Sequence, residues 1–314
     1  MSYVLEAQDL SKSYREIEAV KHLSLAVEEG EVFGFLGPNG AGKTTTINML
    51  CGLLKPDSGQ VLLKGRLISN GHRDIRAQIG VCPQDLVFWN KLTCLEQLIF
   101  VGQMYGLSLN NCRANALRLL KELDLEEKKN KLAGTLSGGM QRRLNIGLAL
   151  VHDPQLVVFD EPEAGLDPQS RVKVREYIQS LARKKTVILT THNMDEADRV
   201  ADRVAIIDHG QLLVLDTTAA LKARLGEGDI LEINLGNGAK DAAHIRQALN
   251  GLANQVSLEE EGQVLLIRAL NAVAHLPEIL ERLSAAGLEL GEVKVRQNTL
   301  EDVFIQLTGR KLRE

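Results

Sequence analysis

Apolar and polar positions change period several times along the chain, and each change predicts an element. Val4 to Leu10 is a short β-rich run, and Val20 to Val27 alternates apolar with polar residues; both read as antiparallel edge strands. Glu31 is followed by the uncharged run Val32 to Leu36, and Leu156 to Phe159 is another apolar run. Uninterrupted runs of that length predict strands buried on both faces, the habit of a parallel sheet. Thr186 to Leu189 adds a further β-run. From Leu86 to about Leu132 the period becomes helical, through Leu95, Leu98 and Ile99, then Ala114, Leu117, Leu119 and Leu120, then Leu123 and Leu125.

Past the short strand Leu212 to Leu215 and a small helix from Thr217 to Leu225, the pattern starts afresh. It reads β from Ile230 to Leu235, α from Ala242 to Leu249, β from Gln255 to Glu259, β from Gln263 to Ile267, α from Ala272 to Ala286 and β from Leu288 to Val295. That order, β-α-β-β-α-β, is the ferredoxin-like pattern. A last helix is expected to start at a Thr299 cap, with Glu301 and Asp302 favouring its dipole and Val303, Phe304 and Leu307 as an apolar stripe.

The length of 314 residues fits two domains, placed at 1–225 and 226–314. With 37 basic and 41 acidic side chains the net charge of −4 gives no general pull toward polyanions. Cys51, Cys82, Cys94 and Cys112 share no metal-ligand spacing and are too sparse for a disulfide scaffold, so they read as reduced thiols. No basic segment with a signal-peptide apolar stretch opens the chain, and no run of ~18 apolar residues occurs, so a membrane role is expected to come through a partner.

The chemistry begins after the strand ending at Leu36. Gly37-Pro38-Asn39-Gly40-Ala41-Gly42-Lys43-Thr44-Thr45 precedes the helix signal Ile47 to Leu50, which is the phosphate-loop spacing in its proper context. The glycines let backbone N–H groups turn toward phosphate oxygens, Lys43 is expected to reach the β and γ phosphates, and the Thr44 hydroxyl to ligate Mg²⁺. Asp160, closing the apolar strand, is placed to hold Mg²⁺ through water, and Glu161 to polarise a water for attack on the γ phosphate.

Between these segments lies Leu136-Ser137-Gly138-Gly139-Met140-Gln141-Arg142-Arg143-Leu144, which resembles the signature motif of ATP-binding cassette ATPases, with Met140-Gln141 at its variable Gln position. The resemblance covers Val4 to about Thr218. It implies an α/β P-loop cassette with an antiparallel edge sheet and a helical insert at about 86–145, followed by the small α+β domain. It also implies that Tyr14 stacks on adenine, that Gln84 senses Mg²⁺ and the attacking water, and that His192 contacts the γ phosphate. By the same resemblance, Ser137, Gly138, Gly139 and Gln141 act on the nucleotide of a partner subunit, and Ala164 to Asp167 forms a dimer loop. Glu163 departs from the pattern, since threonine or serine is usual there, and is expected to face the dimer or solvent.

The stretch Asn298 to Gly309 is similar to the tail of the drug-type exporter branch. The resemblance thus implies an ATPase on the inner face of the cell membrane, powering export of small hydrophobic molecules, lipid-like compounds or polymers. Implied partners are ATP with Mg²⁺, a second copy or paralogue of the chain, and an integral membrane permease that docks near Leu86 to Trp89; no direct nucleic acid is expected. The alternative is a soluble cassette ATPase acting on ribosomes or nucleic acid.

Overall fold

The computed structural model describes residues 2–68, 73–225, 228–236, 242–253, 255–259, 262–270 and 272–309. Its first compact unit runs to Thr218 and its second begins at Ala219. In chain order the first unit holds β1 (Tyr3–Tyr14), β2 (Ile17–Glu28), β3 (Val32–Leu36), α1 (Lys43–Leu50), β4 (Ser58–Leu63), β5 (Arg66–Leu67), α2 (Arg73–Arg76) and β6 (Ile79–Cys82). There follow α3 (Cys94–Met104), α4 (Leu109–Glu122), α5 (Gly138–Leu150), β7 (Leu156–Asp160), α6 (Pro168–Leu181), β8 (Thr186–Thr191), α7 (Met194–Val200), β9 (Arg203–Asp208) and β10 (Gln211–Thr217).

The strands form a six-stranded sheet in the order β10-β9-β3-β8-β7-β6 and a four-stranded sheet in the order β2-β1-β4-β5. From β9 to β6 the larger sheet is parallel, and β10 returns antiparallel to β9. Alternation explains the unbroken apolar runs. Val157, Phe159, Val187 and Leu189 point into one core with α3, α4, α5 and α6, whereas Leu156, Val158, Ile188, Phe33 and Phe35 point into a second core with α1 and the antiparallel sheet.

One expectation is corrected here. β1 is not an edge strand, because it pairs with β2 on one side and β4 on the other. The strand β4, with Val61 and Leu63 buried, supplies the partner that the N-terminal pattern alone did not reveal.

The helical insert contains α3, whose Thr93 and Glu96 close a capping box, and α4, capped by Ser108. Reciprocal caps of that kind satisfy N–H groups that the first turn leaves open.

The second unit opens with α8 (Thr218–Arg224), then β11 (Asp229–Leu235), α9 (Ala242–Ala248), β12 (Gln255–Glu259), β13 (Val264–Ala269), α10 (Ala272–Ala285), β14 (Leu290–Arg296) and α11 (Leu300–Thr308). The carbonyls of Lys222 and Leu225 accept from Asn298 and Arg268, so the helix read from sequence as leading out of the first unit belongs with the second. Its sheet order is β12-β13-β11-β14, antiparallel throughout, around a core of its own. Thr299 and Asp302 cap α11 reciprocally. Val303 and Phe304 are buried, but Leu307 is 46% exposed and falls off the expected stripe.

Candidate active site

The segments that carry the expected chemistry leave one edge of the parallel sheet. Register pairs Leu36 with Thr191, Asp160 with Thr190, and Cys82 with Phe159. The phosphate loop after β3, Glu161 after β7, His192 after β8 and Pro83-Gln84 after β6 therefore emerge together at the carboxyl ends of their strands. Open α/β sheets gather ligand chemistry at that edge.

In the phosphate loop, Gly42 precedes α1 at φ 100°, and a Cβ there would lie 2.4 Å from the Ala19 carbonyl oxygen. No other residue type fits. Asn39, Gly40 and Thr44 are exposed, Pro38, Gly42 and Thr45 half-buried, and Gly37 and Ala41 buried. Lys43 is buried, and its Nζ donates to the carbonyls of Gly37 at 2.7 Å and Pro38 at 3.1 Å. Burial holds its ammonium below the usual lysine range, while the charges of Glu161 and Asp160 act the other way.

Glu161 sits at φ 44°, left-handed backbone that costs a residue with a Cβ roughly 1–2 kcal/mol. Its N–H donates to the backbone oxygen and the hydroxyl of Thr190, both at 3.1 Å, and so fixes that conformation. The carboxylate is 8% exposed. It accepts from Gln84 Nε2 at 3.3 Å and from His192 Nδ1 at 3.0 Å, and Lys43 Nζ lies 4.0 Å from Oε1. A carboxylate only accepts, so Nδ1 of His192 carries the proton in this contact and Nε2 is left for another partner. Asp160, also buried, accepts from the Thr190 hydroxyl.

Arg142 went unread in the sequence. It is 3% exposed and spends its donors on five backbone carbonyls: Nε on Pro162 at 3.0 Å, Nη1 on Pro83 at 2.7 Å and Gln84 at 3.0 Å, Nη2 on Asp160 and Glu161 at 2.8 Å each. The fork bolts the Gln84 segment to the acid loop from the first turns of α5.

The signature is built differently. Ser137 caps α5 by accepting from Met140 N–H at 3.4 Å, and both Ser137 and Gly138 are exposed. Gly139 is buried, where a Cβ would meet the Ser170 hydroxyl oxygen at 2.1 Å, and Gln141 turns inward to donate to the Ala133 carbonyl at 3.3 Å. Only the first two therefore present themselves outward in this subunit. Asp167 caps α6, accepting from Ser170 N–H at 3.0 Å and Ser170 Oγ at 2.7 Å; these bonds hold its carboxyl below the usual range. Tyr14 ends β1 with 48% exposure, its ring 6.0 Å below Lys12 Nζ.

Glu163 corrects the expectation that it faces the dimer or solvent. It is 5% exposed and forks onto Arg175 at 3.1 and 2.6 Å. The guanidinium provides the counter-charge that makes burying a carboxylate tolerable.

Thr44, Gln84 and Asp160 line one cavity of about 530 Å³, whose lining also includes the apolar side chains of Leu53, Val87, Trp89, Val101 and Tyr105. A hydroxyl, an amide and a carboxylate are oxygen donors of the kind that Mg²⁺ takes beside nucleotide phosphates, so the residues present fit that ion. Of the four residues Leu86 to Trp89, Phe88 packs into the core of the insert, and Trp89 meets Phe100 edge-on at 5.2 Å.

A family model described as ABC transporter matches residues 20–164. The linearmycin resistance ATP-binding protein of Bacillus subtilis (strain 168) is 37% identical, covering 99% of this chain and 100% of its own length. The daunorubicin/doxorubicin resistance ATP-binding protein of Streptomyces peucetius is 36% identical, covering 97% of this chain and 92% of its own. A solved dimeric ATP-binding cassette in a post-hydrolysis state, bound to ADP and Pi, is 28% identical with TM-score 0.62, covering 68% of this chain and 98% of its own.

Proposed function

The chain belongs to the ATP-binding cassette transporter family as an ATP-hydrolysing subunit, and from that premise we propose how its residues work and what they drive. Lys43 and the N–H groups of the phosphate loop hold the β and γ phosphates, and Tyr14 receives the adenine. When bound, Mg²⁺ neutralises charge on the phosphate oxygens, and Thr44, Gln84 and Asp160 are its holders. Glu161 orients the attacking water and draws its proton. His192, kept in place by its 3.0 Å contact with Glu161, turns its free Nε2 to the γ phosphate. The observation that carries this reading is the meeting of Gln84, His192 and Lys43 on the one buried carboxylate of Glu161.

Two copies pair head to tail, each offering Ser137 and Gly138 to the nucleotide held by the other. A permease helix docks at Val87 and Trp89, which line the same cavity as Gln84, so that nucleotide state at Gln84 is passed to the membrane partner. The chain then works as a peripheral subunit on the cytoplasmic face. Named relatives act in resistance to linearmycin and to daunorubicin, which favours a small hydrophobic or lipid-like cargo moved outward. Those relatives lend no support to the alternative of a ribosome- or nucleic-acid-acting ATPase.

Turnover by Glu161→Gln tests the site. The variant is expected to bind ATP with parent affinity and to hydrolyse it about 10² to 10⁴ times more slowly, accumulating an ATP-bound dimer. Hydrolysis at the parent rate would remove Glu161 from the chemistry.

A further inference from the structure

Two residues beyond Glu161, the buried charge of Glu163 has no part in the phosphate chemistry. Arg175 answers it with two parallel bonds, Nε to Oε1 at 3.1 Å and Nη2 to Oε2 at 2.6 Å. A planar fork of this kind sets orientation as well as distance. Glu163 lies in the turn after β7 and Arg175 midway along α6, so the fork ties the loop bearing Glu161 to the body of a helix.

The same guanidinium acts on a second acid. Glu196, on α7, is pushed above the usual carboxylate range by burial first and by the charge of Glu163 second, while Arg171 and Arg175 pull it back. Glu196 accepts from the Thr191 hydroxyl at 3.0 Å, and that hydroxyl accepts from Asn193 N–H at 2.9 Å. His192 is the residue between them. The Thr191 hydroxyl thus ties the His192 turn to Glu196, an acid that feels the charges of both Glu163 and Arg175.

We infer that Arg175 is a positioning residue for hydrolysis: forked onto Glu163, it ties the Glu161 loop to α6 and so keeps Glu161 in the register of its 3.0 Å contact with His192. The inference rests on the roles proposed above for Glu161 and His192. Because Arg175 works through those residues, its loss is read in turnover and not in the affinity for ATP.

The test measures kcat per ATP-binding site, with sites counted by equilibrium titration, for the full chain and for Glu163→Gln, Arg175→Lys, Arg175→Met and the double variant Glu163→Gln with Arg175→Met. Each single change is expected to lower kcat per site about tenfold while KM for ATP stays within about twofold. The double variant is expected to be no slower than the slower single one, because breaking either partner releases the same constraint. Arg175→Lys keeps the charge without the fork, and it decides the matter if Arg175→Met does not fold. Parent kcat per site in Arg175→Lys and Glu163→Gln overturns the inference. So do losses that multiply in the double variant, or a loss confined to the number of sites, which is what a merely structural role would give. Glu161→Gln in the same assay separates the two levels of failure. If it turns over at the parent rate the site reading itself falls, whereas an inactive Glu161→Gln beside fully active Arg175 variants sinks only this inference.

Discussion

Around Lys43 and around Ser137 the same unit treats its polar groups in opposite ways. The ammonium of Lys43, the carboxylates of Asp160 and Glu161 and the amide of Gln84 are gathered at one sheet edge and bonded to one another, to nearby backbone or, for Asp160, to the Thr190 hydroxyl. Ser137 caps its own helix and, with Gly138, otherwise meets water. The first region is chemically assembled within one chain. The second has a helix N-terminus and an exposed hydroxyl, groups suited to phosphate, and among the described residues no phosphate-binding side chain of its own subunit is bonded to them. That difference is what the proposed shared site would show from one side: a preformed cradle, and a lid for the nucleotide of another copy. Arg142 joins the two, since it sits five residues after Ser137 and clamps the Gln84 and Glu161 backbones.

Breaking that clamp should blur the contrast most. Arg142→Met removes one donor group from five backbone carbonyls, those of Pro162, Asp160 and Glu161 in buried contacts, and we expect a loss of about 3 to 5 kcal/mol in folding stability. Urea unfolding followed through Trp89, the one tryptophan, reads it in the first unit; a loss near zero would show that the carbonyls find other partners.

Acid should weaken the first unit next. His152 follows α5, stacked on Tyr105 at 3.7 Å, with Nε2 against the Ile79 carbonyl and Nδ1 buried without a partner. Burial pushes it down to about 4 from an ordinary 6.5. The unfolded chain therefore takes a proton that the folded one refuses, so its contribution is complete above pH 6.5 and is lost as pH falls toward 4, by roughly 3 kcal/mol in all. The Trp89 unfolding midpoint should fall over that window in the parent and fall less in His152→Phe. Equal slopes would remove His152 as the cause.

The smallest effect sharpens the comparison from the exposed side. Ser137→Ala removes one cap bond and should cost at most about 1 kcal/mol in the isolated chain. A larger loss would mean that Ser137 is structural in its own subunit.

Legibility followed the physics of each residue type. The buried strands, and the points where the phosphate loop and the acid pair leave them, were readable because an unbroken apolar run must be buried on both faces, and the glycine or acid that ends it marks where the chain leaves the sheet; His192 was placed only by the family resemblance. β1 was misplaced as an edge because strand partners are set by contacts distant in sequence, here with β4. Glu163 was misread and Arg142 missed for a shared reason. Whether a polar side chain turns inward depends on a partner on another element, Arg175 or the Gln84 loop, and no local pattern announces it. Leu307 shows the converse, an apolar residue at helical spacing that nothing requires to be buried.

The claim that the signature serves a second copy is tested most directly by mixing a Lys43→Ala chain with a Ser137→Arg chain. In a head-to-tail pair both lesions fall on one composite site, and the other keeps an intact Lys43 and an intact Ser137. Nucleotide occupancy is counted on tag-purified heterodimers under non-hydrolysing conditions. The account predicts about one tightly bound ATP per heterodimer, fewer in either mutant homodimer, and occupancy that rises with protein concentration as subunits associate. Equal occupancy in all three species, or tight binding by a demonstrated monomer, would contradict it.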